Sequence, residues 1–408
     1  MFSLRRALIL LGALLPIVAG APYAAPAEDD AVAEAIPEKY LVLLKQGTPK
    51  AKFDAHTAWA ADLETKSKSN ERRRFRGVRR KNSFKRFSSY SGEFDQATID
   101  KIRASDEVEL VEADQNWTLD AFVTQTNAGW NLGSITHRAP GSLNYVYDTS
   151  GCSDTYGYVV DGGVNVEHAA FGGRATLGFN ACEDANHTDT SGHGTHIAGI
   201  IASTTYGMCK NANVISVKVF VGNVAATSTI LNGLTWAIND ITANGREQTS
   251  VINLSLGGAS SQVWKTAIAN AVAAGVHIVI AAGNNNVDVK DISPANAPEA
   301  ITVGSMSSSN ARAPSSNWGP LIDIWAPGVN ILSTWIGSTT ATKTMSGTSM
   351  AAPHVAGLVL YLQRFEGPFT PAAMITRIRY YATNNVLTDV TESTNKLAYN
   401  GWGLVYQG

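Results

Sequence analysis

The chain holds 408 residues, 44% of them hydrophobic, with 32 Lys and Arg against 34 Asp and Glu and a formal charge of −2. That length exceeds one ordinary domain, and the apolar share marks a globular chain with room for a large core rather than a disordered one. The net charge says little about partners, but its distribution says more.

Arg5 and Arg6 precede an apolar run, Ala7 to Val18, and the small residues Ala19, Gly20 and Ala21 follow. A positive start, a short apolar run and a small-residue exit mark residues 1–20 as a secretory signal peptide. The run is shorter than the ~20 apolar residues of a membrane span, and no other stretch is long enough. Export is expected, with no membrane partner. Residues 21–36, rich in Ala, Pro and acidic side chains, read as a linker.

A first unit follows over residues 37–120. Lys39 to Lys45 reads as a strand and Lys50 to Lys66 as a helix. Residues 71–86 carry nine Lys and Arg against one Glu. Such a run binds nucleic acid or membrane in some proteins, but without an accompanying nucleic-acid motif it reads as a solvated loop. Phe84 to Phe94 alternates weakly around a Ser89-Tyr90-Ser91-Gly92 turn, Asp95 to Ser105 has helical spacing through Ile99 and Ile102, and Val108 to Val111 is a short strand. This is a small α+β unit split by the basic loop.

From about residue 155 short apolar segments alternate with helical ones. They are Tyr156–Val160, Ile197–Ser203, Val214–Phe220, Ile230–Asn239, Ser250–Leu254, Val263–Ala274 and His277–Ala281. Nearly continuous apolar strands alternating with helices predict an α/β, doubly wound and mainly parallel sheet covered on both faces. Residues 121–408 hold 13 Lys and Arg against 16 Asp and Glu. Cys152, Cys182 and Cys209 also lie here, an odd count that leaves at least one thiol unpaired. Cys182–Cys209 is a pair that the sequence allows without establishing it, and the spacing fits no zinc pattern.

In a doubly wound sheet active residues gather at the carboxyl ends of the strands. Tyr158-Val159-Val160-Asp161-Gly162-Gly163 is an apolar strand ending in a carboxylate. Ser191-Gly192-His193-Gly194-Thr195-His196 opens a helix after a polar loop, and Ser346-Gly347-Thr348-Ser349-Met350-Ala351 leads into the apolar helix Ala352–Leu362. Singly, each reads as a turn residue or helix cap. His193 and His196 lack the glutamate of a metalloprotease helix.

Together, in the order Asp, His, Ser, they resemble the subtilisin-like serine proteases, most closely the fungal branch that includes proteinase K. Ser255-Leu256-Gly257-Gly258, Ala281-Ala282-Gly283-Asn284 and the run from Ser346 through Pro353 to Gly357 carry the same resemblance, which spans residues 37 to 405. It implies a serine endopeptidase in which Ser349 is the nucleophile, His193 its base, and Asp161 the group that orients His193. Asn284 and the Ser349 N–H would hold the oxyanion. Ser255, Leu256 and Gly257 would pair with extended peptide, and Ala281, Ala282 and Gly283 would wall a roomy first pocket of broad specificity. No catalytic cofactor is implied. A structural calcium is, held by carbonyls of Pro298 and Ala300 and the carboxylate of Asp323.

The first unit resembles the inhibitor-type propeptide of these proteases through Ser91-Gly92-Glu93-Phe94 and Val111-Glu112-Ala113-Asp114-Gln115. That implies a ferredoxin-like inhibitor and chaperone domain, cleaved between Asp120 and Ala121 to release a peptidase domain over 121–408. Protein and peptide substrates and the propeptide itself are then the expected partners of a monomer, with no nucleic acid. The expected location is extracellular, with a vacuole as the alternative.

Gly162 departs from the family, which usually has Thr or Ser there. The edge strand of the substrate cleft, Asn223-Val224-Ala225-Ala226-Thr227, is shortened. The three cysteines do not align with those of proteinase K, and Ile197 replaces its free cysteine. Gly162 and the altered edge motivate a second reading, a catalytically weakened homologue acting as a binding protein. A lipase-type hydrolase is disfavoured, because Ser349 lacks the second glycine of the nucleophile elbow. Asn186-His187-Thr188 is a glycosylation acceptor in a polar loop, Asn253-Leu254-Ser255 fits the same pattern but is expected buried, and Asn116-Trp117-Thr118 falls in the propeptide tail.

Overall fold

The computed structural model describes residues 35–66, 77–115, 122–149, 151–183 and 185–402. The signal peptide, Asn116, and the expected cleavage point at Asp120 and Ala121 lie outside them. The chain divides into two compact units between Leu119 and Asp120.

The first unit runs β1 (Ala35–Leu44), α1 (Lys50–Lys66), β2 (Gly77–Phe84), β3 (Phe87–Glu93), α2 (Gln96–Arg103), β4 (Val108–Gln115). Its antiparallel sheet has the order β2-β3-β1-β4. Val42 and Leu44 point to one face of β1, where Phe53 and Ala60 of α1 and Ile99 and Ile102 of α2 cover them. Asp95 starts α2 by accepting the Thr98 N–H at 2.8 Å, and Lys101 and Arg103 complement its last turn.

Two expectations are corrected here. Of the basic run the structure describes residues 77–86, and 77–84 of these are the edge strand β2 and not a loop. Arg79 and Arg80 are exposed, Lys81 donates to the Thr57 hydroxyl of α1 at 2.5 Å, and charge on an edge discourages pairing with another chain. Ser89-Tyr90-Ser91-Gly92 lies within β3, because Tyr90 is wholly buried and holds the segment to the core. The turn falls instead at Lys85 and Arg86, with Lys85 at φ 51°.

In the second unit the strands β5 (Phe122–Gln125) and β6 (Tyr145–Asp148) pair around α3 (Trp130–Thr136). The main elements are β7 (Tyr156–Asp161), β8 (Ala175–Asn180), α4 (His193–Ala202), β9 (Asn213–Lys218), α5 (Thr227–Ala243) and β10 (Ser250–Leu254). There follow β11 (Gly258–Ala259), α6 (Gln262–Ala273), β12 (His277–Ala281), β13 (Ile292–Ser293), β14 (Ile301–Met306), β15 (Ile324–Pro327), β16 (Ile331–Thr334) and β17 (Thr342–Met345). The last are α7 (Thr348–Glu366), α8 (Pro371–Tyr381), β18 (Thr383–Asn384) and β19 (Lys396–Leu397).

Nine strands form one sheet in the order β18-β19-β15-β14-β12-β10-β7-β9-β8, parallel except at β18–β19. Alternation along the strands divides the core in two. Val159, Val214, Val251, Val279 and Val303 face α4, α7 and α8. Tyr158, Val217, Ile252 and Ile280 face α5 and α6. This is the doubly wound architecture expected from the sequence.

Cys152 is bonded to Cys209 and Cys182 is free and buried, so the Cys182–Cys209 pair is not formed. Topology gives the reason. Cys152 and Cys209 precede the neighbouring parallel strands β7 and β9 at the amino end of the sheet, whereas Cys182 follows β8 at its carboxyl end. The bridge spans 57 residues of sequence, a closure worth roughly 4 kcal/mol in the chain-entropy treatment. Replacing both Cys152 and Cys209 by Ser should therefore lower the urea midpoint of the protein markedly, while Cys182→Ser should leave it nearly unchanged. Equal midpoints for all three proteins would refute this assignment.

Candidate active site

Asp161 ends β7 and is 4% exposed. His193 begins α4, and its Nδ1 lies 2.9 Å from Asp161 Oδ2 and 3.1 Å from Oδ1. Facing a carboxylate, Nδ1 carries the proton, which leaves the Nε2 lone pair to accept one. Asp161 Oδ1 also accepts the Gly162 N–H at 2.7 Å. Burial pushes the His193 imidazolium down in pKa. The charge and hydrogen bond of Asp161, with the charge of Asp189, outweigh it and hold the pKa above the ordinary value.

Ser349 is the second residue of α7, where backbone N–H groups have no intrahelical acceptor. The Ser255 hydroxyl donates to the Ser349 carbonyl at 3.1 Å, and Ser349 Oγ lies 3.4 Å from the Ser255 carbonyl. Among the described residues no hydrogen bond joins Ser349 Oγ to His193. Asn284 is oriented by the same helix start, since its Oδ1 accepts the Thr348 N–H at 2.8 Å and the Thr348 hydroxyl at 3.1 Å. The amide therefore presents Nδ2 as its donor. Asn317 holds the loop from below, accepting the N–H groups of Asn285 and Val287 and donating to the Ala282 carbonyl.

A cavity of about 530 Å³ brings together Ser255, Leu256, Gly257, Ala281, Gly283, Asn284 and Ser349. Ala282 is not part of its lining. Strand alternation turns its side chain into the opposite core, and its N–H bonds to the Val303 carbonyl. The edge segment also differs from an extended strand. Val221 and Val224 bond to each other across a tight loop at 3.2 and 3.3 Å, and Thr227 already belongs to α5.

Among the described residues no cluster of three or more His, Cys, Asp or Glu has the arrangement of a metal site. Asp323 stands at the foot of β15 with Oδ2 accepting the Thr302 N–H at 2.8 Å, and burial raises its pKa to about 6. A desolvated carboxylate held by the Thr302 N–H fits an oxygen-ligated cation. Asn186 is exposed in its loop, and Asn253, Leu254 and Ser255 are buried as expected.

Residues 158–403 match the subtilase family and residues 39–120 match peptidase inhibitor I9. The chain belongs to the subtilase family. It is 51% identical over 407 residues to alkaline protease 1 of Aspergillus clavatus, covering 98% of this chain and all of that one. It is 45% identical to the alkaline proteinase of Hapsidospora chrysogena, over 99% of this chain and all of the relative. A crystal structure of a cold-adapted subtilisin-like serine proteinase superposes with a TM-score of 0.63 at 40% identity, covering 67% of this chain and 98% of that one.

Three supporting residues escaped the sequence reading: Asp189, Lys218 and Asn317. Asp189 had a usable signal, an acidic residue four positions before His193 at the mouth of a helix. The other two had none, since their partners lie on distant segments. In a subtilase of this geometry the His193 titration reports the Asp161 contact. By NMR the imidazole should titrate above the ordinary histidine value of about 6.5, and Asp161→Asn should drop it below that value, because burial persists when the charge is gone. An unmoved titration would show that Asp161 does not set it.

Proposed function

We propose that the protein is a secreted serine endopeptidase of broad specificity, made as a precursor inhibited by its own first unit, with Asp161, His193 and Ser349 as its catalytic groups. The observation that carries this reading is the oriented imidazole on one helix start and the serine beside a fixed asparagine on another, both at the carboxyl edge of the sheet.

As the substrate carbonyl approaches, Ser349 Oγ bonds to its carbon and His193 Nε2 takes the hydroxyl proton. Asp161 stabilises the imidazolium across the 2.9 Å contact. The carbonyl oxygen becomes an oxyanion and receives Asn284 Nδ2 and the Ser349 N–H, aided by the helix dipole. His193 then gives its proton to the leaving nitrogen as the C–N bond breaks. Water repeats the cycle on the acyl-enzyme and restores the Ser349 hydroxyl.

Extended peptide would add as a strand along Ser255–Gly257, with its first side chain in the cavity walled by the small residues Ala281 and Gly283. Calcium, when bound, would supply structural cross-linking alone, held by the Asp323 carboxylate and the carbonyl oxygens of Pro298 and Ala300. The inhibitor-type unit, cleavage between Asp120 and Ala121, a glycan on Asn186, a monomeric state and extracellular delivery complete the reading. A vacuolar destination is the alternative location.

Expressing the full precursor and its Ser349→Ala form and sequencing the N-termini tests it. Wild type should yield a chain starting at or near Ala121, and the variant should stay uncut. Identical processing of both, or a mature chain that hydrolyses no denatured protein, would sink the enzyme reading and favour the weakened binding homologue. Asn284→Ala should lower kcat by ~10²–10³ with little change in KM, because its amide serves the oxyanion and not the bound substrate. A loss confined to KM would remove Asn284 from that role.

A further inference from the structure

Three buried or half-buried groups that do not touch substrate in the proposed reaction meet where the strand carrying Asp161 touches the helix carrying His193. Asp189, 8% exposed, is the hub. Its Oδ1 accepts the Ser191 N–H at 3.0 Å, the Ser191 hydroxyl at 3.2 Å and the Gly192 N–H at 2.8 Å. Its Oδ2 accepts the Thr195 N–H at 2.9 Å and the Thr195 hydroxyl at 2.7 Å. The cap residue of α4, Gly192, sits at φ 81° and has no side chain, so Asp189 supplies the acceptors that the helix start requires. Lys218, 1% exposed, donates to the carbonyls of Gly162 at 2.7 Å and Thr188 at 3.0 Å. It thereby ties the residue after Asp161 to the residue before Asp189.

The two backbones approach too closely for side chains. A Cβ on Gly194 would lie 2.1 Å from the Gly163 carbonyl oxygen, and one on Gly163 would lie 2.9 Å from the Asp189 nitrogen. At Gly162 the situation differs. A Cβ there would lie 3.1 Å from Ser191 Oγ and 3.5 Å from Asp189 Oδ1, so the Ser191 hydroxyl fills the space beside the missing side chain. The same oxygen accepts the His193 N–H at 3.2 Å. One hydroxyl thus touches the backbone of His193, the carboxylate that caps its helix, and the vacant side of the residue following Asp161.

We propose that Ser191, held by Asp189, is a positioning residue for His193, its hydroxyl supplying from the loop what Gly162 cannot supply from the strand. This rests on the reading of Asp161 and His193 as catalytic groups. With the hydroxyl gone, the His193 N–H loses its acceptor and the first turn of α4 gains freedom to shift. Misplacement of a reacting group is felt in turnover, whereas the substrate strand at Ser255–Gly257 and the cavity walls are untouched.

The test uses the full precursor, processed to the mature enzyme, with Ser191→Ala, Ser191→Thr, Gly162→Ser and the double variant Gly162→Ser/Ser191→Ala. A chromogenic peptide anilide reads kcat and KM, and thermal unfolding reads stability. Ser191→Ala should lower kcat about tenfold with KM within about twofold, a fraction of what a full ångström of misplacement costs. Ser191→Thr keeps the hydroxyl and should retain most of kcat. Gly162→Ser alone crowds Ser191 and should also lower kcat, while the double variant, which moves the hydroxyl from loop to strand, should recover kcat above either single change. The proposal falls if Ser191→Ala keeps wild-type kcat, if Ser191→Thr loses as much as Ser191→Ala, or if the double variant is no better than the singles. Should Ser191→Ala fail to mature, the Thr and double variants decide on the same criteria. An inactive wild type would instead overturn the endopeptidase reading, independently of Ser191.

Discussion

The contact between His193 Nδ1 and the Asp161 carboxylate joins a strand end to a helix start 32 residues away, and the surrounding architecture serves that distance. Neither group sits comfortably alone. Asp161 is buried, and burial disfavours a charged imidazolium, so His193 depends on the Asp161 charge and hydrogen bond to hold its pKa above the ordinary value. Holding the pair takes backbone against backbone at Gly163 and Gly194, where no Cβ fits. It also takes two further buried charges, Asp189 and Lys218, whose desolvation is offset by five accepted and two donated hydrogen bonds. The core on both sides of the sheet makes this corner stiff.

The second half of the site is built from the same kind of material. The start of α7 leaves N–H groups unpartnered within the helix, and one of them, on Thr348, is spent on turning Asn284. A rotated amide would put its NH₂ group against the Thr348 N–H, donor against donor. Hence Nδ2 is fixed as the donor by a backbone group, a more rigid device than a side-chain partner. Asn317 adds a brace under the following loop, so the asparagine is fixed from two directions.

Much of this was legible in the sequence where an element announces itself locally. Lys50–Lys66, Ser250–Leu254 and His277–Ala281 are observed with the bounds their periodicity implied. Strand β14 was missed because Gly304 and Ser305 interrupt its apolar run. The glycine is there because the Trp325 ring crosses that point and would lie 2.4 Å from a Cβ. Helix α8 carried a signal that went unused, Thr370 capping and Pro371 at the first turn. The edge strand β2 was hidden by its charge, since composition alone does not separate a solvated loop from a sheet edge. The Cys152–Cys209 bond is a property of strand order, which spacing does not encode. In the site, motifs carry the side chains proposed to act, while Lys218 reads as one more residue of an apolar strand.

The segment that the resemblance places at the cleft edge shows how a local change would alter what a site must rely on. A peptide lying between two strands gains main-chain hydrogen bonds on both sides, each worth about 1 kcal/mol net. Here Val221 and Val224 spend theirs on each other, and the chain turns into α5 at Thr227. In the proposed function the paired side is Ser255–Gly257, and the first pocket would then carry a larger share of the binding. Its walls are Ala281 and Gly283, small groups that exclude little on grounds of size. Selectivity in such a cleft comes from how much apolar surface a side chain buries, at roughly 25 cal/mol per Å², rather than from a polar group it must match. Under the proposed mode of binding, a shortened edge would make the enzyme more dependent on the first-pocket residue without making that pocket more discriminating in kind.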